Sequence, residues 1–335
     1  ANTRSRHIPG FRAIEGVEIA AVANRTEEST RRVAEEYSIP KTYGSWQELV
    51  ADPDLDAVMI GTWPSLHAEI TVAALEAGRH VLTEARMARS LAEAKRMAAA
   101  AEARPELITQ IVPSPFGLEE DAYLKELIGG GFLGELREVV LISATDLFHD
   151  RSAPLHWRQE EEISGRNVLS LGILHETLLR WVPPPVWVMA QHAMFQTDFA
   201  PSPHTGHTEA TVPDSVQILT RLEGGARGLY HLSGQTLFGP GHQIHLYGSR
   251  GTIRFELAPE KKLLIGQEGD EKLREVKIPA EQQGGWRVEE EFIGAIRGEE
   301  QVQFTDFATG LKYMEFTEAV AISAESQQAV VLPMP

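Results

Sequence analysis

Between residues 17 and 112 the chain repeats one pattern, a short apolar run followed by a longer stretch with helical spacing. Residues 17–23 read Val-Glu-Ile-Ala-Ala-Val-Ala, which is too short for a helix and apolar enough for a strand buried in a parallel sheet. Helical spacing over 27–37, with Val33 and Ala34 inward, and over 45–51 precedes a second buried run at 54–60. An amphipathic helix over 66–77 closes at Gly78, the residue type that most readily takes the left-handed conformation ending a helix. A strand at 80–83, a helix at 91–103 and a strand at 107–112 complete the series. Such alternation specifies an α/β domain with a doubly wound parallel sheet.

The pattern changes after that. A helix over 121–128 runs into Gly129-Gly130-Gly131, and alternating runs then predict strands at 138–144, 186–193, 215–222, 227–233, 243–247, 252–256 and 273–278. Glu223-Gly224-Gly225 and Gly248-Ser249-Arg250-Gly251 supply turns between them, as in a large, mostly antiparallel open sheet. Helices over 169–181, 287–297 and 307–326 would cover one face of it. The expected organisation is a dinucleotide-binding domain over 1–117 and an α+β substrate domain over 118–335. A chain of 335 residues is about twice the usual domain length, which agrees.

Composition narrows the function. A formal net charge of −17 repels a phosphate backbone, so no nucleic-acid partner is expected. No run approaches the ~18 apolar residues of a membrane span. With no cysteine, disulfides, thiolate metal sites and thiol nucleophiles are excluded. Neither a signal peptide nor an initiator methionine precedes Ala1, and a cytoplasmic protein is the expectation.

Ligands of an open parallel sheet sit beyond the carboxyl ends of its strands. There the chain carries Gly61-Thr62-Trp63-Pro64-Ser65-Leu66-His67, and then Ala74-Leu75-Glu76-Ala77-Gly78-Arg79-His80-Val81-Leu82-Thr83-Glu84. These resemble the Thr-Pro loop with downstream His, and the following "AL-AGKHV--EKP", of the Gfo/Idh/MocA family. Gly248-Ser249-Arg250-Gly251-Thr252-Ile253 and the late helix with Phe292, Ala295, Ile296, Arg297 and Gly298 extend the resemblance over nearly the whole chain. It implies a Rossmann-type first domain and hydride transfer between NAD or NADP and a sugar-like polyol or carbonyl. It also implies a homodimer or homotetramer formed through the open sheet face. Cofactor contacts would come from Asn2, Thr3 and Arg4 in the phosphate turn and from Thr62, Trp63, Pro64, His67 and Glu84. The family's first strand has no counterpart before Ala1, so the sequence is expected to be truncated relative to the working protein. Asn24 and Arg25 stand where a carboxylate would bind the ribose of NAD; a guanidinium there pairs with a 2′-phosphate and favours NADP, unless Arg25 is only a solvated helix-start residue.

The resemblance weakens at the chemistry. Glu84-Ala85-Arg86 replaces Glu-Lys-Pro, and Arg86 either polarises a carbonyl or pairs with a carboxylate. In Ser170-Leu171-Gly172-Ile173-Leu174-His175-Glu176-Thr177 the register from Gly172 puts Ser170 and Leu174 where the family has Asp and His. His175, one residue on, is the acid/base candidate or else a structural histidine. Trp157 and Arg158 offer a flat wall beside a guanidinium fork, suited to a sugar-like ligand, unless Arg158 pairs with Glu160, Glu161 or Glu162. His204 and His207 lack a visible third ligand, and no metal is expected. Two rivals remain: an enzyme of the same fold that uses transient oxidation for elimination or glycoside cleavage, and a non-catalytic nucleotide-binding regulator.

Overall fold

The structure, a computed structural model, describes residues 2–334. In chain order a π-helical turn (Thr3–His7) runs into α1 (Ile8–Ala13), followed by β1 (Ala21–Val22), α2 (Glu27–Glu36), β2 (Lys41–Thr42) and α3 (Trp46–Ala51). Next come β3 (Ala57–Ile60), α4 (Pro64–Glu76), β4 (His80–Thr83), α5 (Leu91–Glu102) and β5 (Thr109–Ile111). β1 pairs with β2, and β3, β4 and β5 form a second sheet, every pair parallel. Thr26, Ser45 and Ser90 cap α2, α3 and α5 by accepting from Ser29, Glu48 and Glu93 N–H, which satisfies amides no helical carbonyl can reach. Val58, Ile60 and Val81 of the sheet pack with Ile70, Ala74 and Leu75 of α4.

The chain continues through α6 (Asp121–Gly129), β6 (Leu136–Ala144), a 3₁₀ turn (Trp157–Gln159), α7 (Glu161–Ser164), α8 (Leu171–Leu179), β7 (Pro185–Ala193), β8 (Ser215–Leu222) and β9 (Arg227–Ser233). It then forms β10 (Gly241–Gly248), β11 (Gly251–Ala258), β12 (Lys262–Gln267), β13 (Arg274–Glu275), α9 (Val288–Arg297), α10 (Phe307–Ser326) and β14 (Val330–Val331). The predicted strand at 273–278 contracts to two residues at the sheet edge, and β12, whose Leu263 and Ile265 alternate inward, was not anticipated.

Contacts divide the chain into two compact units, Ala1–Pro113 with Arg287–Leu311 and Ser114–Trp286 with Lys312–Pro335. This differs from a single boundary after residue 117, because a late segment returns to the first unit. Ile111 and Thr305 exchange backbone hydrogen bonds of 2.9 and 3.1 Å. The buried Glu291 carboxylate accepts from Gln303 N, Phe304 N and Gln110 Nε2. Phe292 meets Phe11 edge-on at 6.4 Å.

In the second unit nine strands lie in the order β13-β12-β11-β10-β6-β9-β8-β7-β14, antiparallel except for β6 beside β9. Val216 and Ile218, Tyr230 and Leu232, Val139 and Leu141, and Ile244 and Leu246 face inward onto Leu171, Leu174 and Leu178 of α8 and Phe316 and Val320 of α10. Gly117, at φ +71°, has Trp181 against it; a Cβ there would sit 2.6 Å from the ring. The opposite face of the sheet carries Met189, Leu219, Leu229 and Val140 in one hydrogen-bonded register across β7, β8, β9 and β6.

Candidate functional site

In the first unit the predicted cofactor residues gather at the strand ends. The helical run that starts at Thr3 approaches the end of β3 so closely that a Cβ on Gly61 would lie 2.4 Å from Thr3 Oγ1. A larger residue at 61 would force the Thr3 side chain to move. Arg25, exposed after β1, holds its guanidinium 5.9 Å from the centre of the Trp63 ring after β3. Pro64 occupies the first turn of α4, where its missing N–H costs nothing. Asn24 is turned to local work, its N–H donating to Thr30 Oγ1 at 2.9 Å and its Nδ2 to Ser29 O at 3.2 Å. Arg4 pairs with Glu36 at 3.3 Å. The open strand ends, the glycine approach and the cation over an aromatic ring fit a dinucleotide.

The remaining predicted residues fix the loops. His67 is wholly buried, with Nδ1 2.7 Å from Arg86 O and Nε2 3.1 Å from Thr62 O. Burial holds its pKa below the ordinary value, against the pull of those carbonyls. It therefore clasps the loops after β3 and β4 together and presents no nitrogen to a ligand. Arg86, 4% exposed and reached through a cis Ala85–Arg86 peptide, is enclosed. Glu84 accepts from Ala85 N and Asn2 and faces His7 Nε2 at 3.1 Å, while His7 Nδ1 lies 2.5 Å from Glu289 Oε1. Burial would lower the His7 pKa, but hydrogen bonds to Glu289 and Glu84 outweigh it and raise the value. Gly10 makes room, since a Cβ there would meet Glu289 Cγ at 2.7 Å. The sequence reading missed both His7 and Glu289 as site residues.

In the second unit His175 does not have the setting of an acid/base. It is 1% exposed, stacked on Phe316 at 3.7 Å between centroids, with Nδ1 3.0 Å from Tyr230 Oη. Burial takes its pKa down to about 3, so the ring is neutral and enclosed; one residue of helix register turns it into the core. Glu176 is bound to Arg180 and accepts from Ser114 N. Arg158 lies over Trp157, 4.2 Å from the ring centre. It pairs with none of Glu160, Glu161 or Glu162. Glu160 and Glu162 instead approach His207 Nδ1 at 3.7 and 3.6 Å, supplying the ligand number the sequence did not show. Within that trio Glu160 also accepts from Ser202 and Thr205. A polar cleft of about 490 Å³ opens on the uncovered sheet face, lined by His149, Arg151, Gln217, His231, Ser233 and Gln235 among others.

Comparison with known proteins agrees with this geometry. An uncharacterized oxidoreductase of Synechocystis sp. is 26% identical over 257 residues, covering 74% of this chain and 67% of that protein. Trans-1,2-dihydrobenzene-1,2-diol dehydrogenase of Bos taurus is 33% identical over 156 residues, covering 47% of this chain and 45% of that protein. The chain thus matches from 45% to 67% of the length of these relatives. A solved levoglucosan dehydrogenase, in complex with NADH and levoglucosan, shares the fold with a TM-score of 0.81 at 22% identity, over 93% of this chain and 89% of that one. Residues 1–110 match the oxidoreductase family model described as an NAD-binding Rossmann fold, and residues 122–254 match the GFO/IDH/MocA C-terminal domain. With both family domains matched in order along it, the chain belongs to the Gfo/Idh/MocA family of oxidoreductases.

Proposed function

We propose that the protein is an NADP-preferring oxidoreductase acting on a sugar-like polyol or carbonyl. The observation that carries this reading is Arg25: exposed, without a carboxylate among the described residues, and set over Trp63 beside the glycine approach of Gly61 to Thr3. Arg25 and Trp63 would hold the adenosine end, the guanidinium meeting a 2′-phosphate. The helical start at Asn2 and Thr3 would face the pyrophosphate with backbone N–H groups. When bound, the nicotinamide supplies a hydride acceptor or donor. The residues of the chain orient and exclude water: His67 locks the two loops, and Trp157 with Arg158 offers a ring face and a fixed cation to the substrate. A guanidinium that stays protonated favours polarising or neutralising oxygen over shuttling its proton.

Titrating NADPH and NADH into the protein, with nicotinamide fluorescence as readout, tests the reading, followed by turnover on a panel of polyols and sugar carbonyls. NADPH should bind more tightly than NADH, and Arg25→Glu should weaken NADPH by about 10- to 100-fold while altering NADH little. Absence of binding by either dinucleotide would sink the proposal. One rival has specific support, because Ala85 stands at the lysine position and His175 is enclosed. Binding without turnover on any substrate would favour that non-catalytic reading.

Self-association belongs to the same proposal. The exposed row Met189, Leu219 and Leu229, extended by Val140, forms an apolar stripe on the uncovered sheet face, as two copies meeting face to face require. Light scattering should find a dimer or tetramer, and Leu229→Glu should lower the mass toward that of one chain; a monomeric parent protein would refute it. Among the described residues no helix is long and apolar enough to cross a membrane. We place the protein in the cytoplasm, with the dinucleotide pool this activity would use.

A further inference from the structure

Arg158 has more positive charge than its surroundings balance. Its Nε is shut off from solvent without a hydrogen-bond partner, and no acid pairs with it among the described residues. Glu160, two positions along, accepts from Ser202 and Thr205 instead, and Glu162 faces His207. Burial alone acts on the guanidinium, drawing its pKa down to about 10, where a neighbouring carboxylate would have held it up. The nearby ring of His156 is held neutral, at about 4, by burial first and then by Arg158 and His204. Part of Arg158 remains open to solvent, so the cation can be reached. Burying a charge without a counter-charge is unfavourable, and a chain that keeps one gains when a ligand brings the missing anion.

We propose that Arg158, backed by Trp157, receives a fixed negative charge on the substrate, so that the preferred substrate is a sugar-like compound carrying a carboxylate or a phosphate. The guanidinium fork would donate to two oxygens of either group, and the ring face of Trp157 would pack against the carbon skeleton. As a statement about substrate this rests on the oxidoreductase reading; as a statement about anion binding it does not.

The test uses the whole chain and three probes, D-glucose, D-glucuronate and D-glucose 6-phosphate, with calorimetric binding and NADPH-linked initial rates measured for each. At least one acid should bind about tenfold or more tightly than glucose, and the order of the two acids shows which oxyanion the site prefers. Arg158→Met keeps an apolar stem over Trp157 and should abolish the preference, the acids losing at least the tenfold by which they exceeded glucose. Arg158→Lys should retain part of it as a point charge. The methionine variant loses the cation over Trp157 but no hydrogen bond or ion pair, and it removes an unbalanced buried charge, so its melting temperature should stay close to the parent's. Equal affinity for the three probes, no measurable binding of any, or an acid preference that survives in Arg158→Met overturns the proposal. Arg158-dependent binding of an acid without turnover by either dinucleotide sustains the anion site and overturns the oxidoreductase reading alone.

Discussion

Replacing Arg180 by methionine is expected to destabilise the second unit by about 3–5 kcal/mol, the range seen when one member of a buried ion pair is removed. Arg180 and Glu176 are each 4% exposed at the side chain and lie one helical turn apart on α8. The guanidinium meets both carboxylate oxygens, at 2.9 to 3.1 Å, and also donates to Ser114 O and Phe116 O. Truncation strands the Glu176 carboxylate in the core and leaves two carbonyls without those donors. In a urea titration followed by tryptophan fluorescence, the midpoint of the transition reporting Trp181 should move down accordingly. Glu176→Gln combined with Arg180→Met should recover a substantial part of the loss, since glutamine still accepts from Ser114 N and carries no charge. A single variant within about 1 kcal/mol of the parent would show that the pair is no stronger than a surface salt bridge.

The same pair shows why the fold was more legible than the site. Strand and helix positions in the first unit follow from local signals: short apolar runs, Ser and Thr caps at 26, 45 and 90, and Gly78 at φ +80° after α4. Each signal acts within a few residues, so the sequence exposes it directly. Return of residues 287–311 to the first unit is not a local property. It depends on Thr305 completing a ladder with Ile111 and on Glu291 collecting donors from Gln110, Gln303 and Phe304. No periodicity along the chain encodes such pairings.

Site residues divide along the same line. Thr62, Trp63 and Pro64 were named because strand ends carry ligands in this topology; in the structure Arg25 lies by Trp63 and Thr3 by the neighbouring Gly61. His175 was named for its chemistry, yet one residue on a helix is a rotation of about 100°, enough to turn it onto Phe316 and Tyr230. Arg158 was named as a guanidinium beside a ring, and its lack of a counter-charge became visible only once Glu160 was seen bonded to Ser202 and Thr205. His7 escaped notice for the same reason, since its partner Glu289 is 282 positions away.

That histidine carries the other large expected effect. His7, 1% exposed, bridges the buried Glu289 and the half-buried Glu84, and as an imidazolium it donates to one carboxylate from each nitrogen. His7→Gln removes the charge and one of the two donors, and about 3–5 kcal/mol of stability in the first unit should go with it. The pH dependence follows from the directions of the shifts. The His7 pKa is raised above its ordinary 6.5, so its contribution is complete below 6.5 and fades as pH rises through the folded-state value. The Glu84 pKa is lowered below its ordinary 4.5 by its bonds to His7, which overcome the opposing effect of burial. Its contribution is therefore complete above 4.5 and fades as pH falls through the lowered value. Parent and variant should differ most between about pH 4.5 and 6.5 and converge as pH rises through the raised His7 value, as measured by denaturant midpoints across the pH range. A difference that stays flat, or widens toward alkaline pH, would mean that the ring is neutral and donates to only one of the two carboxylates. The loop after β4 would then be held by packing and not by a buried cation.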